Sequence, residues 1–437
     1  PEPDGRLPSP VPVPVIQLTV EANTVGPGRG LNLAGVYSGL SVVSSMEVVD
    51  LKLIEVLRGT KSTLLGTNTI GGAILLVSKK PSDEEEFVLD VTAGRYDRQD
   101  LKASVNLPLS DIFRVRGSFA SLQRDGHVDR ILDGGTQGDK DALSGRIVAD
   151  LDIAENISAS LAVDSTKTRE QSPGQVTVAV DENAFFAGLH NTLVFPACDP
   201  ALGDPARFSN PNCANAQYVA DIDDLDSTNT GPNRSDADVW GASLTLDWEL
   251  EKAAVKSITA YRRADVDIAQ ELVGIPTYQN PIGQDITLEQ FSQELQLSGR
   301  MLNDKLSYLV GYYYATEEGR QVFPVLLESV QFTSGGRIDN HSSAFFGRIG
   351  YAITDALSLT LGARYSTAKK RFLPQQQIDN VPDNFQPFFD FLAGITGNGF
   401  LVQEGLPLFP EVEVSDKESE FNPLVTLDYR FNENLMV

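Results

Sequence analysis

Apolar and polar side chains alternate along most of the chain. In "LKASVNLPL" (101–109) the residues Leu101, Ala103 and Val105 are apolar, and those between them are polar. The stretch "SLTLDWEL" (243–250) repeats the pattern, with leucine and tryptophan alternating with serine, threonine, aspartate and glutamate. A period of two places alternate side chains on opposite faces of a β-strand. The sequence therefore predicts strands with one apolar and one polar face.

The connections between these strands alternate between tight turns and long polar segments. The turns fall near 110–111, 154–156, 249–251, 302–304, 354–356 and 432–434, and the long segments near 124–141, 169–236, 270–287, 320–341 and 373–417. Long loops on one side and short turns on the other are typical of an outer-membrane β-barrel. We count twelve strands and the start of a thirteenth at Leu435. Because bacterial barrels close with an even number of strands, we expect the chain to end within a barrel.

A transmembrane barrel requires the apolar face of each strand to face lipid. The leucines predicted to do so are Leu244, Leu246, Leu359, Leu361 and Leu427, and the aromatic residues predicted at the membrane interface are Phe113, Trp248, Tyr351 and Phe431. The alternative is a soluble sandwich or propeller, whose strands would be shorter, about 5–6 residues. The charged side chains on the polar face suit a water-filled lumen better than a dry core, which favours the barrel.

Composition excludes several classes of function. The formal net charge is −25 over 437 residues, whereas a nucleic-acid-binding protein needs a basic face. No apolar run approaches the roughly 18–20 residues of a transmembrane helix. The three histidines are far apart, and no catalytic motif such as G-x-S-x-G or H-E-x-x-H occurs, so we expect no enzyme and no cofactor. The chain opens on a proline-rich segment without a signal peptide, so either the mature chain starts here or the N-terminus has been cut away.

The glycine-rich stretch "LRGTKSTLLGTNTIGGAILLVSKKP" (57–81) raises the question of phosphate binding. Lys61 follows threonine rather than glycine, so the stretch is not a P-loop. Further upstream, Gly26, Gly28 and Gly30 are not followed by the last glycine of a dinucleotide fingerprint, since Leu33 occupies that position. Nucleotide binding is therefore not predicted.

Extended to "IEVLRGTKSTLLGTNTIGGAILLVSKKP" (54–81), the same stretch resembles the plug signature of TonB-dependent outer-membrane receptors. The matching positions are Ile54, Glu55, Val56, Leu57, Arg58, Gly59, Leu64, Gly66, Asn68, Gly71, Gly72, Ala73, Ile74, Lys79, Lys80 and Pro81, and the departures are Thr60, Ser62 and Leu65. The segments 244–263, 290–300 and 355–372 resemble barrel strands of the same family. The resemblance covers most of 50–437.

The resemblance implies an all-β membrane protein, in which a transmembrane antiparallel β-barrel of about 22 strands encloses a small α+β plug domain. We assign the plug to residues 1–81 and about half of the barrel to residues 82–437, with long extracellular loops near 169–236 and 373–417. The chain is thus expected to be truncated at both ends. The implied location is the outer membrane of a Gram-negative bacterium.

By resemblance, the protein takes up a scarce solute, most simply a ferric siderophore or a similar chelate. Glycans and cobalamin remain alternative cargoes. The implied partners are the TonB–ExbB–ExbD energy-coupling complex, outer-membrane lipid and lipopolysaccharide, and a small-molecule cargo, with no nucleic acid. A different class is also open, in which a receptor-derived barrel serves as a docking component of a surface assembly without transport.

The expected site residues are structural for the most part. The plug-signature residues are Glu55, Arg58, Gly59, Gly66, Asn68, Gly71 and Gly72, with Glu55 and Arg58 expected against charged residues of the barrel wall. Tyr37 and Arg29 are candidates for contact with cargo, although packing is at least as good an explanation of Tyr37. An oxidising periplasm favours a Cys198–Cys213 disulfide over two free thiols. The carboxylates Asp221, Asp223, Asp224 and Asp226 are a weak calcium candidate, since they do not fit the EF-hand spacing and a solvated loop explains them better.

Overall fold

The computed structural model describes residues 30–33, 36–38, 50–58, 72–184, 187–188, 190–220, 223–271, 274–275, 281–327, 330–354, 356–380, 411–432 and 435–436. These residues form two main β-sheets and a small third one. Within them, no helix has the length and apolarity needed to cross a membrane.

The first sheet contains the four strands nearest the N-terminus and lies within the predicted plug. They are β1 (Gly30–Leu33), β2 (Val36–Ser38), β3 (Leu51–Arg58) and β4 (Gly72–Ser78). Their order is β2-β1-β4-β3, with β1 and β4 parallel and the outer pairs antiparallel. We call these strands the plug sheet. The described part of this region contains strands and no helix, so the helical part of the expected α+β plug stays a prediction.

The second sheet is a continuous antiparallel array, which we call the wall. Its long strands are β5 (Glu86–Gly94), β6 (Arg98–Ser110), β7 (Phe113–Arg124), β10 (Lys140–Ala154), β11 (Ile157–Glu170), β13 (Asn233–Glu249), β14 (Ala253–Glu271), β15 (Pro281–Met301), β16 (Leu306–Leu327), β17 (Val330–Ala352), β18 (Leu357–Pro374) and β20 (Val414–Asn432). Each pairs with the next one in this order. The described wall thus has the twelve long strands predicted, followed by β21 (Leu435–Met436), and β19 (Gln377–Asn380) pairs beside β17.

The predicted division of each strand into two faces is confirmed in the wall. The side chains of Leu244, Leu246, Leu361 and Leu427 are exposed, and Leu359 is half-buried on the same face. The opposite face carries buried polar residues such as Arg116. Trp248 and Tyr351 are exposed near tight turns and Phe113 is half-buried, whereas the side chain of Phe431 lies outside the described residues.

The segment 320–341 was predicted as a loop, and that expectation is wrong. Strand β16 continues to Leu327 and strand β17 begins at Val330, so almost the whole segment is paired strand. Strands of 22 and 23 residues exceed the roughly 9–11 needed to cross a membrane, so this hairpin extends beyond the bilayer. Outside the bilayer, both faces of a strand are in water and the alternation of hydropathy disappears.

We expect a charge on the apolar face to disturb membrane insertion. Arginine in place of Leu244, in the middle of β13, should destabilise the barrel by about 2–4 kcal/mol, because a lipid-facing cation near the bilayer centre loses its hydration. The measurement is the folding free energy of the full-length protein in lipid vesicles. As a control, arginine at the adjacent Thr245, which points to the polar face, should cost far less. Equal costs at both positions would contradict the assignment of faces.

The long connections on one side of the wall contain further structure. The strands β8 (Val128–Arg130), β9 (Thr136–Gln137) and β12 (Asp226–Ser227) form the third sheet, in the order β12-β8-β9. The segment between β11 and β13 contains a π-helix (His190–Val194) and the 3-10 helices Pro196–Cys198, Pro200–Leu202, Pro205–Ser209 and Ala216–Tyr218. The third sheet therefore joins two successive long loops at the predicted extracellular end.

Candidate functional site

The plug sheet and the wall meet at a cluster of four charged side chains. Both oxygens of Asp50, which immediately precedes β3, accept from the Arg116 guanidinium of β7, through Nε and through Nη2 at 3.0 Å. Ser118 donates to the same carboxylate at 2.9 Å. Arg116 also donates to Glu86 of β5 at 2.6 Å, and the Lys79 ammonium lies 3.9 Å from both Asp50 and Glu86. Two cations and two anions therefore balance at this junction.

The geometry makes this junction a strong contact. Side-chain exposure is 3% for Arg116 and 9% for Asp50, so the pair is largely shielded from water. A guanidinium that donates two parallel bonds to one carboxylate is the most specific form of ion pair. Burial opposes ionisation of Asp50, but the hydrogen bonds from Arg116 and Ser118 and the nearby positive charges hold its pKa below the usual value. Asp50 is thus an anion held by the wall.

The lowered pKa of Asp50 predicts how the junction responds to acid. A carboxyl group with a depressed pKa in the folded state stabilises that state above its unfolded pKa, and this contribution disappears as the pH falls through the folded value. Since the unfolded pKa is about 3.9, we expect plug docking to be constant from neutral pH to about pH 5 and to weaken below about pH 4. The urea midpoint of plug unfolding, measured across this range, tests the expectation. Asp50→Asn should have a much flatter profile, and an identical profile would contradict it.

A second contact holds the segment that connects the two sheets. The Asn106 side chain of β6 is fully buried. Its Nδ2 donates to the carbonyl oxygens of Ser82 at 2.9 Å and Glu84 at 2.6 Å, and its Oδ1 accepts from the Ser82 amide at 3.1 Å. One asparagine therefore fixes the backbone of the connection against the polar face of the wall.

The predicted plug-signature residues fall partly within the described structure. Glu55 and Arg58 lie in β3, Tyr37 lies in β2, and Gly72 begins β4. The pairing of Arg58 with Gly72 places these two signature residues side by side in the plug sheet. The other predicted residues lie outside the described residues; they are Arg29, Gly59, Gly66, Asn68 and Gly71.

Glu55 and Arg58 stay predictions as contacts with the wall, since the side chain of Arg58 lies outside the described residues. The side chain of Glu55 is exposed, whereas Asp50, immediately before β3, carries the ion pair with the wall. Asp50 precedes the recognised motif and has no distinctive spacing of its own. Its partner Arg116 lies 66 residues away, so the pair becomes visible only when the two sheets are placed together.

Further along the wall, charges are also paired on the polar face. Arg146 of β10 donates to Asp164 of β11 at 2.9 Å, and Arg262 of β14 donates to the same carboxylate at 3.0 and 3.1 Å. All three side chains are at most 11% exposed. The Asp164 carboxylate thus accepts hydrogen bonds from two arginines of different strands.

At the other end, the loop between β11 and β13 is closed by a disulfide. Cys198 and Cys213 are bonded, with their Cα atoms 5.2 Å apart, and both are fully buried. The Asn191 side chain accepts from the amide and donates to the carbonyl of Ala214, each at 2.9 Å. The His190 ring lies within hydrogen-bond distance of the Asn212 carbonyl, 2.9 Å from it. Side-chain bonds to the backbone thus surround the disulfide and order the loop.

The acidic segment 221–226 does not form a recognisable metal site in the described part of the chain. Asp223 and Asp224 are exposed, Asp226 is half-buried in β12, and Asp221 lies outside the described residues. Among the described residues, no group of three or more histidine, cysteine, aspartate or glutamate side chains could hold a metal ion.

Together, the lipid-facing antiparallel wall, the separate plug sheet held on its polar face and the packed loops at one end define an outer-membrane receptor barrel. The comparisons agree. The family described as "TonB dependent receptor-like, beta-barrel" matches residues 190–437, more than half of the chain. The chain belongs to the TonB-dependent receptor family, which consists of outer-membrane receptors of Gram-negative bacteria and not of enzymes.

Two curated relatives are ferric-siderophore receptors by name. The ferric-pyoverdine 358 receptor of Pseudomonas putida is 24% identical over an alignment of 345 residues that covers 72% of this chain and 37% of the relative. The ferripyoverdine receptor of Pseudomonas aeruginosa is 32% identical over 91 residues, 21% of this chain and 11% of the relative. The chain therefore spans only about a third of the length of the first of these relatives, and less of the second.

Solved structures show the same fold. The ferric yersiniabactin uptake receptor of Yersinia pestis superimposes with a TM-score of 0.68 at 15% identity, over 93% of this chain and 54% of that one. The P. aeruginosa receptor FpvA, solved with bound heterologous pyoverdines, gives 0.62 at 14% identity, over 92% and 48%. The predicted fold class, an all-β outer-membrane barrel, is confirmed.

Proposed function

We propose that this chain belongs to a TonB-dependent receptor that imports a ferric siderophore across the outer membrane. The observation that carries the proposal is the alignment of most of the chain with a receptor named for a ferric pyoverdine, in a family of TonB-dependent receptors. The proposed partners are TonB with ExbB and ExbD, the lipids of the outer membrane, and the chelate itself. Cobalamin or a glycan is the alternative cargo.

The described contacts suit a plug that is displaced during transport. The cluster of Asp50, Arg116, Glu86 and Lys79 consists of ion pairs rather than covalent bonds, so a pulling force can break it and the charges re-form it afterwards. We propose that residues 1–81 form the plug within the lumen, that the wall begins near residue 82, and that the plug-signature glycines allow close backbone approach there.

Cargo binding is proposed at the loop end of the barrel. The disulfide-closed loop, the third sheet and the plug residues Tyr37 and Arg29 would form the binding surface. The loop sequences set the cargo, and the fold alone does not identify it.

Uptake of radioactive iron by cells that express the full-length protein as their sole siderophore receptor tests the proposal. The panel contains ferric pyoverdines, catecholates and hydroxamates, with labelled cobalamin and maltooligosaccharides in parallel. We expect iron to accumulate from at least one siderophore, and a protonophore or loss of TonB to abolish accumulation.

The alternative outcomes are distinct. Accumulation of cobalamin or glycan, but not of iron, would identify the other cargo. If the protein reaches the outer membrane but none of the solutes accumulates, the docking function without transport is supported instead.

A further inference from the structure

A short polar segment is buried where three loops at one end of the wall meet. We call the loop between β7 and β10 loop A (125–139), the loop between β11 and β13 loop B (171–232) and the loop between β14 and β15 loop C (272–280). Within loop B, residues 227–231 have the sequence "STNTG", and Ser227, Thr228 and Asn229 are each at most 3% exposed. Buried polar groups cost free energy unless they are hydrogen-bonded. We call 227–231 the hub, because its bonds reach all three loops.

The hub is bound to loop A through the backbone and through one side chain. The Ile131 amide donates to the Ser227 carbonyl at 3.0 Å, which continues the pairing of β8 with β12. The Arg130 guanidinium donates to the Gly231 carbonyl at 3.2 Å and also to the carboxylate of Asp133. Loop A is therefore bound to both ends of the hub.

Two side chains of the hub are bound to the start of loop C. The Thr228 hydroxyl lies 2.6 Å from the Gly274 carbonyl of loop C and 3.0 Å from the Tyr218 carbonyl of loop B. A hydroxyl has one hydrogen, so it donates to one of these two carbonyls at a time. The Asn229 Nδ2 donates to the carbonyl of Glu271, the last residue of β14, at 2.9 Å. Thr228 and Asn229 therefore hold the start of loop C against loop B.

Packing between loops B and C supports the same arrangement. Ile275 of loop C is 2% exposed and packs with Ala214 and Tyr218 of loop B. At Gly274, φ is +70°, and an added Cβ would lie 2.2 Å from the hydroxyl oxygen of Thr177 in loop B. Any other residue there would be strained and would push the Thr177 side chain aside. Loop C is thus inserted into the structure of loop B.

We infer that Thr228 and Asn229 are positioning residues, which join loops A, B and C into one unit that opens and closes as a whole. Loops that move independently have their hydrogen bonds within themselves, whereas the bonds of the hub cross from loop B to the other two. Parts of a protein that share such bonds open as one cooperative unit. The consequence for recognition rests on the proposed function: loops that are ordered before binding lose less free energy when the cargo binds.

Hydrogen exchange of the full-length protein in detergent, without cargo, tests the coupling of the loops. Thr228→Val keeps the shape of the side chain and removes the hydroxyl, so the Gly274 and Tyr218 carbonyls lose their donor. Loss of one partner of a buried hydrogen bond raises the population of the open form by about tenfold or more. We expect backbone amides in loops A, B and C alike to exchange about tenfold faster in this variant, and Thr228→Ser to restore the wild-type rates.

Thr192→Val is the matched control. Thr192 lies in loop B, and its hydroxyl donates to the Gly188 carbonyl at 2.7 Å, so it makes the same kind of bond within a single loop. Exchange in this variant should become faster only near residues 188–192. If Thr228→Val does not fold, as judged by loss of heat-modifiable migration in gels, Asn229→Ala, which removes the bond to the Glu271 carbonyl, replaces it.

Uptake of a siderophore that the wild type imports gives a second readout. Loosened loops bind the chelate less tightly, whereas the ion pairs between plug and wall are unchanged. Thr228→Val should therefore raise the half-saturating concentration of the siderophore several-fold and leave the maximal rate of uptake unaltered. Thr228→Ser should restore the wild-type half-saturating concentration.

Two results would overturn the inference. One is faster exchange in only one or two of the three loops, or in none of them. The other is a maximal uptake rate that falls while the half-saturating concentration stays at the wild-type value. Failure of the proposed function gives a different result, because the wild type then imports none of the siderophores, while the exchange experiment still decides whether the loops open together.

Discussion

Alanine at Asp50 is expected to loosen the plug while leaving the barrel folded. The substitution leaves the Arg116 guanidinium, only 3% exposed, without its main partner. Removal of one member of a buried ion pair costs about 3–5 kcal/mol, because the remaining charge stays buried and uncompensated. We therefore expect the plug to unfold at a much lower urea concentration than in the wild type. Hydrogen exchange of β3 and β4, measured beside that of the wall strands, reports the two units separately.

Glu55→Gln provides the matched control. Glu55 lies in β3, which follows Asp50, but its side chain is exposed, so its substitution should change the free energy of unfolding of the plug by no more than about 0.5 kcal/mol. A double-mutant cycle with Arg116→Ala isolates the pair, because the double variant should be less destabilised than the sum of the single variants. If Glu55→Gln loosens the plug as much as Asp50→Ala, the motif residue is the tether and our assignment is wrong.

The strands of the wall could be predicted because the bilayer imposes a pattern on the sequence. Each membrane-spanning strand has lipid on one side and water on the other. Neighbouring residues such as Leu244 and Thr245 therefore differ in polarity. The pattern ended where the bilayer ended. Beyond the membrane, residues 320–327 and 330–341 continue the same ladder, but apolar and polar side chains no longer alternate there, as in "VFPVLL" (322–327) and "GGRIDN" (335–340).

The sequence predicted that ion pairs would join plug and wall, but not which residues would form them. The motif indicated a plug, and charged residues on a polar face indicated ion pairs, but the pairing depends on how two sheets separated in sequence lie together. Asp50 has no local signal, and Asn106 is one of several polar residues on β6. Full burial distinguishes Asn106, and the ion pair with the buried Arg116 distinguishes Asp50; both are properties of the assembled structure.

The two ends of the described structure are held together by different kinds of contact. The end of the wall near the plug is linked through ion pairs, which can break and re-form, while the loop end is held by a covalent bond and by side-chain bonds to backbone. A binding surface whose loops are already ordered binds more tightly, because loops that are disordered before binding must be ordered on binding and this costs free energy. The disulfide is therefore expected to matter most for the shape of the loops.

Replacement of Cys198 and Cys213 by alanine is expected to open the loop between β11 and β13 without unfolding the barrel. In the chain-entropy model, a bond that closes a loop of this size contributes roughly 3 kcal/mol. Cleavage by a protease acts on the open population, so an effect of this size raises the cleavage rate roughly a hundredfold when opening is fast. Limited proteolysis of the intact protein measures it, with heat-modifiable migration as the check on the barrel.

The single variants determine whether the bond itself is responsible. If it is, Cys198→Ala and Cys213→Ala each have nearly the full effect of the double variant, because either one removes the same link. Independent packing of two buried side chains would instead give two smaller effects that add. Such additivity, or two thiols that react with label in the intact, unreduced protein, would show that the loop is ordered by packing and by the hydrogen bonds of Asn191, and that the disulfide is not what holds the loop closed.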